Sequence, residues 1–382
     1  MVPGYRPQLD ALRAIAVSLV LLQHFWPDLH PVVWHLGHQG VRLFFVLSGF
    51  LITGLLLSAR ARAEADGGGR GRTLGRFYIR RFWRLLPAYY AMLGLALLLD
   101  AEGIRGSAPW HLAHLSNLYF AAHATWDPWV ANHFWSLAVE EQFYLAWPLL
   151  LMALPARALV PAAWAGVAAG PLFRLAGALL GWNDMAMLGL LPASLDALGA
   201  GCLLALAGGR LPAWRGLPPG AWAAAAWTLL AAALVLPLAG GAGVAGAVLP
   251  DLLALPALAW TVARGAMGFG GAAGRLLEHP WPVGLGRISY GVYLWHPLVL
   301  WAAGRLGEET GIYGRASGPW ALLLLAPLSV LLAALSWRLL ERPLLRLRDR
   351  SGKAAGLTGD PVSGPAPPLP GGDPPRPGAR PA

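Results

Sequence analysis

The stretch LDALRAIAVSLVLLQHFWP, residues 9–27, decides how the chain is read. It is close to the roughly 20 residues that a helix needs to cross a bilayer. Yet it carries Arg13 near one end and His24 near the other. An ionisable side chain in hydrocarbon is costly unless it is used or paired. The two residues stand 11 positions apart. At 100° per residue this is three turns plus about 20°, so both lie on one helix face, separated by about 16 Å along the axis. Either the pair serves chemistry inside the membrane, or it is a snorkelling arginine and a histidine satisfied by a neighbouring helix.

The surrounding composition settles the class. Of the 382 residues 57% are hydrophobic and only 13% charged, with a mean hydropathy of +0.52. Soluble domains carry about 25% charged residues. The chain is therefore expected to be an all-α integral membrane protein. A formal charge of +10 suggests nucleic-acid binding at first sight. The arginines cluster at the ends of apolar runs and not on a polar domain, which argues against nucleic acid as a partner. Cys202 is the single cysteine, so disulfides and thiolate metal sites are not expected. The N-terminus lacks a small-residue cleavage site, and the first helix is expected to stay as an anchor.

Ten apolar stretches follow, near 9–26, 41–57, 82–100, 133–153, 158–174, 190–208, 219–239, 245–263, 288–304 and 319–340. Placing the N-terminus in the cytoplasm puts Arg60, Arg62, Arg70, Arg72, Arg76 and Arg80 in the first inner loop. Later inner segments hold Arg157, Arg210, Arg215, Arg264, Arg275, Arg287 and the group Arg342–Arg350. The outer loops hold Asp100, Glu102, Asp127, Asp184, Glu308 and Glu309 with few arginines. This alternation follows the positive-inside rule. The expectation is about ten transmembrane helices with both termini cytoplasmic, in the cytoplasmic (inner) membrane of a multi-pass protein. Residues 1–346 form the membrane domain. Residues 347–382 read as a disordered Pro/Gly-rich cytoplasmic tail, since SGPAPPLPGGDPPRPGARPA cannot bury a core.

Five tryptophans, Trp26, Trp34, Trp110, Trp126 and Trp129, gather at the expected outer loops. They are either an interfacial belt or a platform on which sugar rings stack. RRFWRLLP, residues 80–87, sets Arg81 and Arg84 at i, i+3 on one face, suited to gripping phosphate oxygens or simply to flanking a span. HFWSLAVEEQFYLAWP, residues 133–148, places Ser136, Glu140 and Glu141 in the fourth span. Adjacent carboxylates point about 100° apart, so at least one must meet a cation or histidine, or be protonated. Asp196 in SLDALGAG is a further intramembrane acid, and Asp251 reads as interfacial. ISYGVYLWHP, residues 288–297, offers Tyr290, Tyr293 and His296 before a kinking proline. His30, His35, His38, His111 and His114 form no recognised metal pattern, so no metal is expected.

Together these segments resemble the acyltransferase-3 family of multi-pass membrane acyltransferases. The resemblance runs from about residue 5 to about residue 345. It rests on LDALRAIAVSLVLLQH with its R-x10-H pair, GVRLFFVLSGFLIT, RRFWRLLP, WSLAVEEQFYLAWP, LDALGAG and ISYGVYLWHP, in that order. The resemblance implies transfer of an acyl group, commonly acetyl, from cytoplasmic acyl-CoA to a hydroxyl of an extracytoplasmic or lipid-linked carbohydrate. It implies Arg13 and His24 as the essential pair and Arg81 and Arg84 as the R-x-x-R. The acid of the W-S-L segment is then Glu140 or Glu141. In the mechanism expected from these residues, Arg13, Arg81 and Arg84 hold the CoA phosphates and His24 is the general base. Glu140 or Glu141 orients its imidazole, with Ser136, Asp196, Tyr290 and His296 in support. The chain departs from the pattern twice. Some relatives carry a C-terminal hydrolase-like domain that these residues lack, so the membrane domain is expected to finish the transfer or hand over to another protein. Many relatives have an arginine where this chain has Ser194, which leaves the pairing of Asp196 open. The competing class is a transporter or flippase of a lipid-linked saccharide, which would not consume acyl-CoA.

Overall fold

The computed structural model describes residues 5–65, 67, 69–208, 219–239, 243–310 and 317–347. Of the expected tail, residues 347–382, all but Leu347 lie outside them. The described residues are helical, with no strand among them. Ten long helices coincide with the ten apolar stretches: α1 Pro7–Phe25, α2 Pro31–Ala65, α3 Arg70–Leu99, α4 Phe134–Ala153 and α5 Ala156–Leu180. They continue as α6 Leu191–Leu206, α7 Pro219–Val235, α8 Val244–Met267, α9 Ser289–Thr310 and α10 Pro319–Ser336. Seven segments, built on α2, α3, α5, α6, α7, α8 and α10, are long and apolar enough to cross a membrane. The three that fall short, α1, α4 and α9, are the ones that carry Arg13 and His24, Glu140 and Glu141, and His296. The protein is a multi-pass membrane protein, and these three helices hold its candidate base and acids.

Local sequence explains where α1 begins and ends. Pro7 occupies the first turn, where its missing N–H costs nothing. Pro27 closes the other end, after Trp26 has donated its N–H to the Leu22 carbonyl at 3.0 Å. His24 therefore sits in the last turn, at a helix end, and not mid-span. Helix α2 is longer than the apolar run 41–57 suggests. It starts at Pro31 and takes in the polar segment WHLGHQG, because no proline interrupts that segment. At 1.5 Å per residue its 35 residues reach about 52 Å.

The core of the bundle is α2 against α6, with α1 on one flank and α5 on the other. Small residues set this contact. A Cβ at Gly49 would lie 2.1 Å from the Leu198 carbonyl oxygen, and one at Gly201 would lie 2.1 Å from that of Val46. The two backbones touch, as small-residue interfaces allow in a membrane. Val46, Leu47, Phe50, Leu198 and Cys202 are buried around the contact.

That approach encloses an ion network. Arg42 of α2 donates to Asp196 of α6 through both terminal nitrogens, at 3.2 and 3.0 Å, and to Asp251 of α8 at 3.0 Å. Arg174 of α5 pairs with Asp196 at 2.6 Å and lies 3.5 Å from Asp251. All four residues are buried. Removing one partner would strand an uncompensated charge, at a cost of about 3–5 kcal/mol. Two expectations change here. Asp251, expected at an interface, is buried among ion partners and lines a cavity. Asp196, despite Ser194, has two arginine partners, supplied by α2 and α5.

Candidate active site

Two cavities flank one partition. Val41 and Tyr293 line both of them. The first, of about 70 Å³, is lined by Arg13 of α1, by Arg81 and Arg84 of α3, and by Arg287 just ahead of α9. The three arginines expected from sequence to act together do share one cavity, although Arg13 and Arg84 lie 71 positions apart. Arg81 stacks on the Tyr144 ring, with its guanidinium carbon 3.5 Å from the ring centroid. Neither Arg13 nor Arg84 has a carboxylate at ion-pair distance among the described residues. Arg287 is held by the Tyr5 hydroxyl at 2.7 Å and lies 3.7 Å from Asp10. Four cations on one small cavity, mostly without counter-charges, make a site for a polyanion.

Glu140 belongs to this cavity. Its carboxylate accepts from the Ser48 hydroxyl and, at 2.9 Å, from the Tyr144 hydroxyl. It thus braces the ring on which Arg81 lies. Among the described residues Glu141 makes no side-chain hydrogen bond and stays half-buried. Tyr290 reaches α3, donating to the Leu85 carbonyl at 3.1 Å.

The second cavity, of about 760 Å³, holds His24. Its walls include five tryptophans, Trp34, Trp126, Trp129, Trp135 and Trp182. Three of the five tryptophans singled out in the sequence are therefore cavity walls; Trp26 and Trp110 are not. No arginine or lysine lines this cavity among the described residues.

The partner of His24 is His296, and not Glu140 or Glu141. His24 Nδ1 lies 2.6 Å from His296 Nε2, and the rings are nearly parallel. His296 Nδ1 lies 2.7 Å from the Tyr293 carbonyl oxygen. A carbonyl only accepts, so His296 carries its proton on Nδ1 and offers a lone pair at Nε2. His24 must then donate from Nδ1, which leaves its own lone pair on Nε2. The chain of bonds fixes the tautomer that a general base needs. Spacing does not tell the two acids apart, and a histidine pair across two helices has no spacing signature at all.

The partition is built on α9 and α4. Ser136 donates to the His133 carbonyl at 3.0 Å and accepts from the Tyr293 hydroxyl at 2.6 Å. His133 donates to the Leu294 carbonyl at 3.2 Å. Ser136, Tyr293 and His296 are thus drawn together, whereas Asp196 lies in the ion network away from His24.

A family model described as an acyltransferase domain matches residues 6–338. The chain belongs to the acyltransferase-3 family. Among curated relatives, Peptidoglycan O-acetyltransferase OatA of Listeria monocytogenes is 36% identical over 162 residues, which cover 39% of this chain and 24% of that protein. The Bacillus subtilis protein YrhL is 38% identical over 164 residues, again 39% of this chain and 24% of the relative. The chain thus spans about a quarter of the length of the curated relatives it matches. No solved structure matches it.

For an acyltransferase-3 member the two cavities have distinct chemistry. The arginine cavity suits an anionic donor, and the tryptophan cavity suits a neutral ring with hydroxyls. Sequence reasoning misses three contributors. Arg287 reads only as a loop charge, though it stands one turn before Tyr290. Arg42 is hidden in the apolar run GVRLFF. Arg174 looks like the plain end of a span.

Proposed function

We propose that this protein is a membrane O-acyltransferase that moves an acyl group, commonly acetyl, from acyl-CoA to a hydroxyl of a cell-envelope glycan. The observation that carries the reading is the pair of cavities sharing Val41 and Tyr293, with arginines on one side and His24 among tryptophans on the other. The name of the Listeria relative makes peptidoglycan the first acceptor to test.

Arg13, Arg81, Arg84 and Arg287 hold the phosphates of acyl-CoA, and the pantetheine arm runs towards Tyr293. The acceptor sugar stacks among the tryptophans. His24 Nε2 takes the hydroxyl proton as the oxygen attacks the thioester carbon, forming a tetrahedral intermediate. Its collapse breaks the carbon–sulfur bond, and the imidazolium returns the proton to the departing sulfur, giving CoA and the ester. His296 supports the imidazolium by accepting from Nδ1. All ten long helices cross the membrane in this reading, with both termini cytoplasmic. The charge alternation of the loops supports that sidedness, in which the arginine cavity faces the cytoplasm.

The test is to incubate purified full-length protein with labelled acetyl-CoA and soluble peptidoglycan fragments. CoA release with label on the glycan is expected. Glycan movement across vesicles without CoA release would make the protein a transporter.

A further inference from the structure

The lining of the tryptophan cavity includes a second histidine that the proposed transfer does not use. His38 of α2 lines the cavity that holds His24. The two stand close by construction. Gly37 packs on Gln23 so tightly that a Cβ there would lie 1.8 Å from the Gln23 amide oxygen. Each histidine is the chain neighbour of one member of that contact.

His38 Nε2 lies 2.8 Å from Asp251 Oδ1. A carboxylate only accepts, so Nε2 carries the hydrogen and the neutral ring leaves its lone pair on Nδ1. Nδ1 has no hydrogen-bond partner among the described residues, and the side chain keeps 24% of its surface exposed. Asp251 is itself immobilised. Arg42 donates to its Oδ2 at 3.0 Å and to its backbone carbonyl at 3.3 Å, and Gln39 reaches Oδ1 at 3.4 Å. The network contains two arginines and two aspartates, so it brings no net charge to the cavity. What it does supply is a fixed ring orientation.

The same cavity is lined by other residues with acceptor atoms that lack donors. Asn132 Oδ1 and His133 Nδ1 are buried with no partner, and both residues line this cavity. Unpaired acceptors, indole faces and a lining without arginine or lysine among the described residues fit a ligand that donates hydroxyl hydrogens. They do not fit a phosphate, which only accepts.

We infer that His38 is an acceptor-binding residue. Its Nδ1 accepts a hydrogen bond from a hydroxyl of the acceptor saccharide next to the one that reacts, and the buried Arg42–Asp196–Arg174–Asp251 network holds the ring for that purpose. The inference rests on the acyl-transfer reading above and narrows the acceptor to an uncharged, hydroxyl-rich part of a glycan.

The test uses purified full-length protein, labelled acetyl-CoA, and chitotriose with its mono-deoxy analogues as acceptor probes. His38→Gln keeps an N–H where Nε2 stood and removes the Nδ1 acceptor. The acceptor KM is expected to rise about tenfold with kcat changed less than about threefold. Wild-type protein should discriminate about tenfold against one mono-deoxy analogue, and His38→Gln should not. An unchanged acceptor KM, or discrimination kept in the variant, overturns the inference and leaves the transfer reading standing. If the variant does not fold, the wild-type series decides alone: equal use of all mono-deoxy analogues rejects a read hydroxyl. No label on any saccharide with wild-type protein rejects a saccharide acceptor, and this inference with it.

Discussion

The two cavities differ in how their polar groups are satisfied. In the arginine cavity, charges of one sign crowd together, and the one well-bonded carboxylate, Glu140, is taken up by Ser48 and Tyr144. At the tryptophan cavity, three histidines are held by bonds, His24 to His296, His296 to the Tyr293 carbonyl and His38 to Asp251, while Asn132 Oδ1 and His133 Nδ1 have no partner. The first arrangement waits for a charged ligand to complete it. The second fixes tautomers and ring planes beforehand. In the proposed function one cavity binds and the other transfers the proton, and a single tyrosine, Tyr293, lines both.

Substitutions that affect one cavity alone test this contrast. The largest expected effect is from His24→Ala, which should lower acyl transfer at least about a thousandfold while acyl-CoA affinity stays within about twofold. Parallel turnover and binding measurements check it, and residual activity near wild type would remove His24 as the base. Next is His296→Leu, which leaves His24 Nδ1 without an acceptor and frees the tautomer; kcat should fall about a hundredfold. Single-turnover acetyl transfer reads this loss, and a change confined to KM would contradict it. Arg84→Gln should act on the other cavity, raising the acyl-CoA KM about tenfold to thirtyfold with little change in kcat. That effect should weaken as salt is raised, because exposed charges are screened. The smallest expected change is from Trp129→Leu, which removes one stacking face beside His24. A rise of about threefold to tenfold in acceptor KM, with the donor KM unmoved, is expected. A donor effect of similar size would mean that the cavities are not separate in function.

Much of this division is legible in the amino-acid sequence. The R-x10-H spacing gives a helix with two polar ends, and Arg13 and His24 do fall in different cavities. Arg81 and Arg84 lie beside Arg13 because α3 packs next to the helices that frame it. The partner of His24 is not legible there. It depends on the rotation of α9 about its axis, which hydropathy in a fully apolar environment leaves undetermined. Asp251 and Arg42 are hidden for a related reason. A buried ion network across four helices is written in the sequence only as isolated charges. The length of α2 escapes the hydropathy pattern because polar residues ahead of Gly40 end an apolar run without ending a helix.

The contact between Gly49 and Gly201 has a consequence for genetics. Neither position touches either cavity, yet any side chain there would collide with a carbonyl oxygen of the opposing helix. The collision would spread α2 from α6 and pull Arg42 away from Asp196. A random mutational screen scored by glycan modification is therefore expected to rank these two glycines beside His24, through loss of folded protein from the membrane and not of a step from the reaction. Immunoblotting of membrane fractions sorts the two kinds of null allele: the glycine variants should vanish from the blot, and the histidine variant should persist at full abundance.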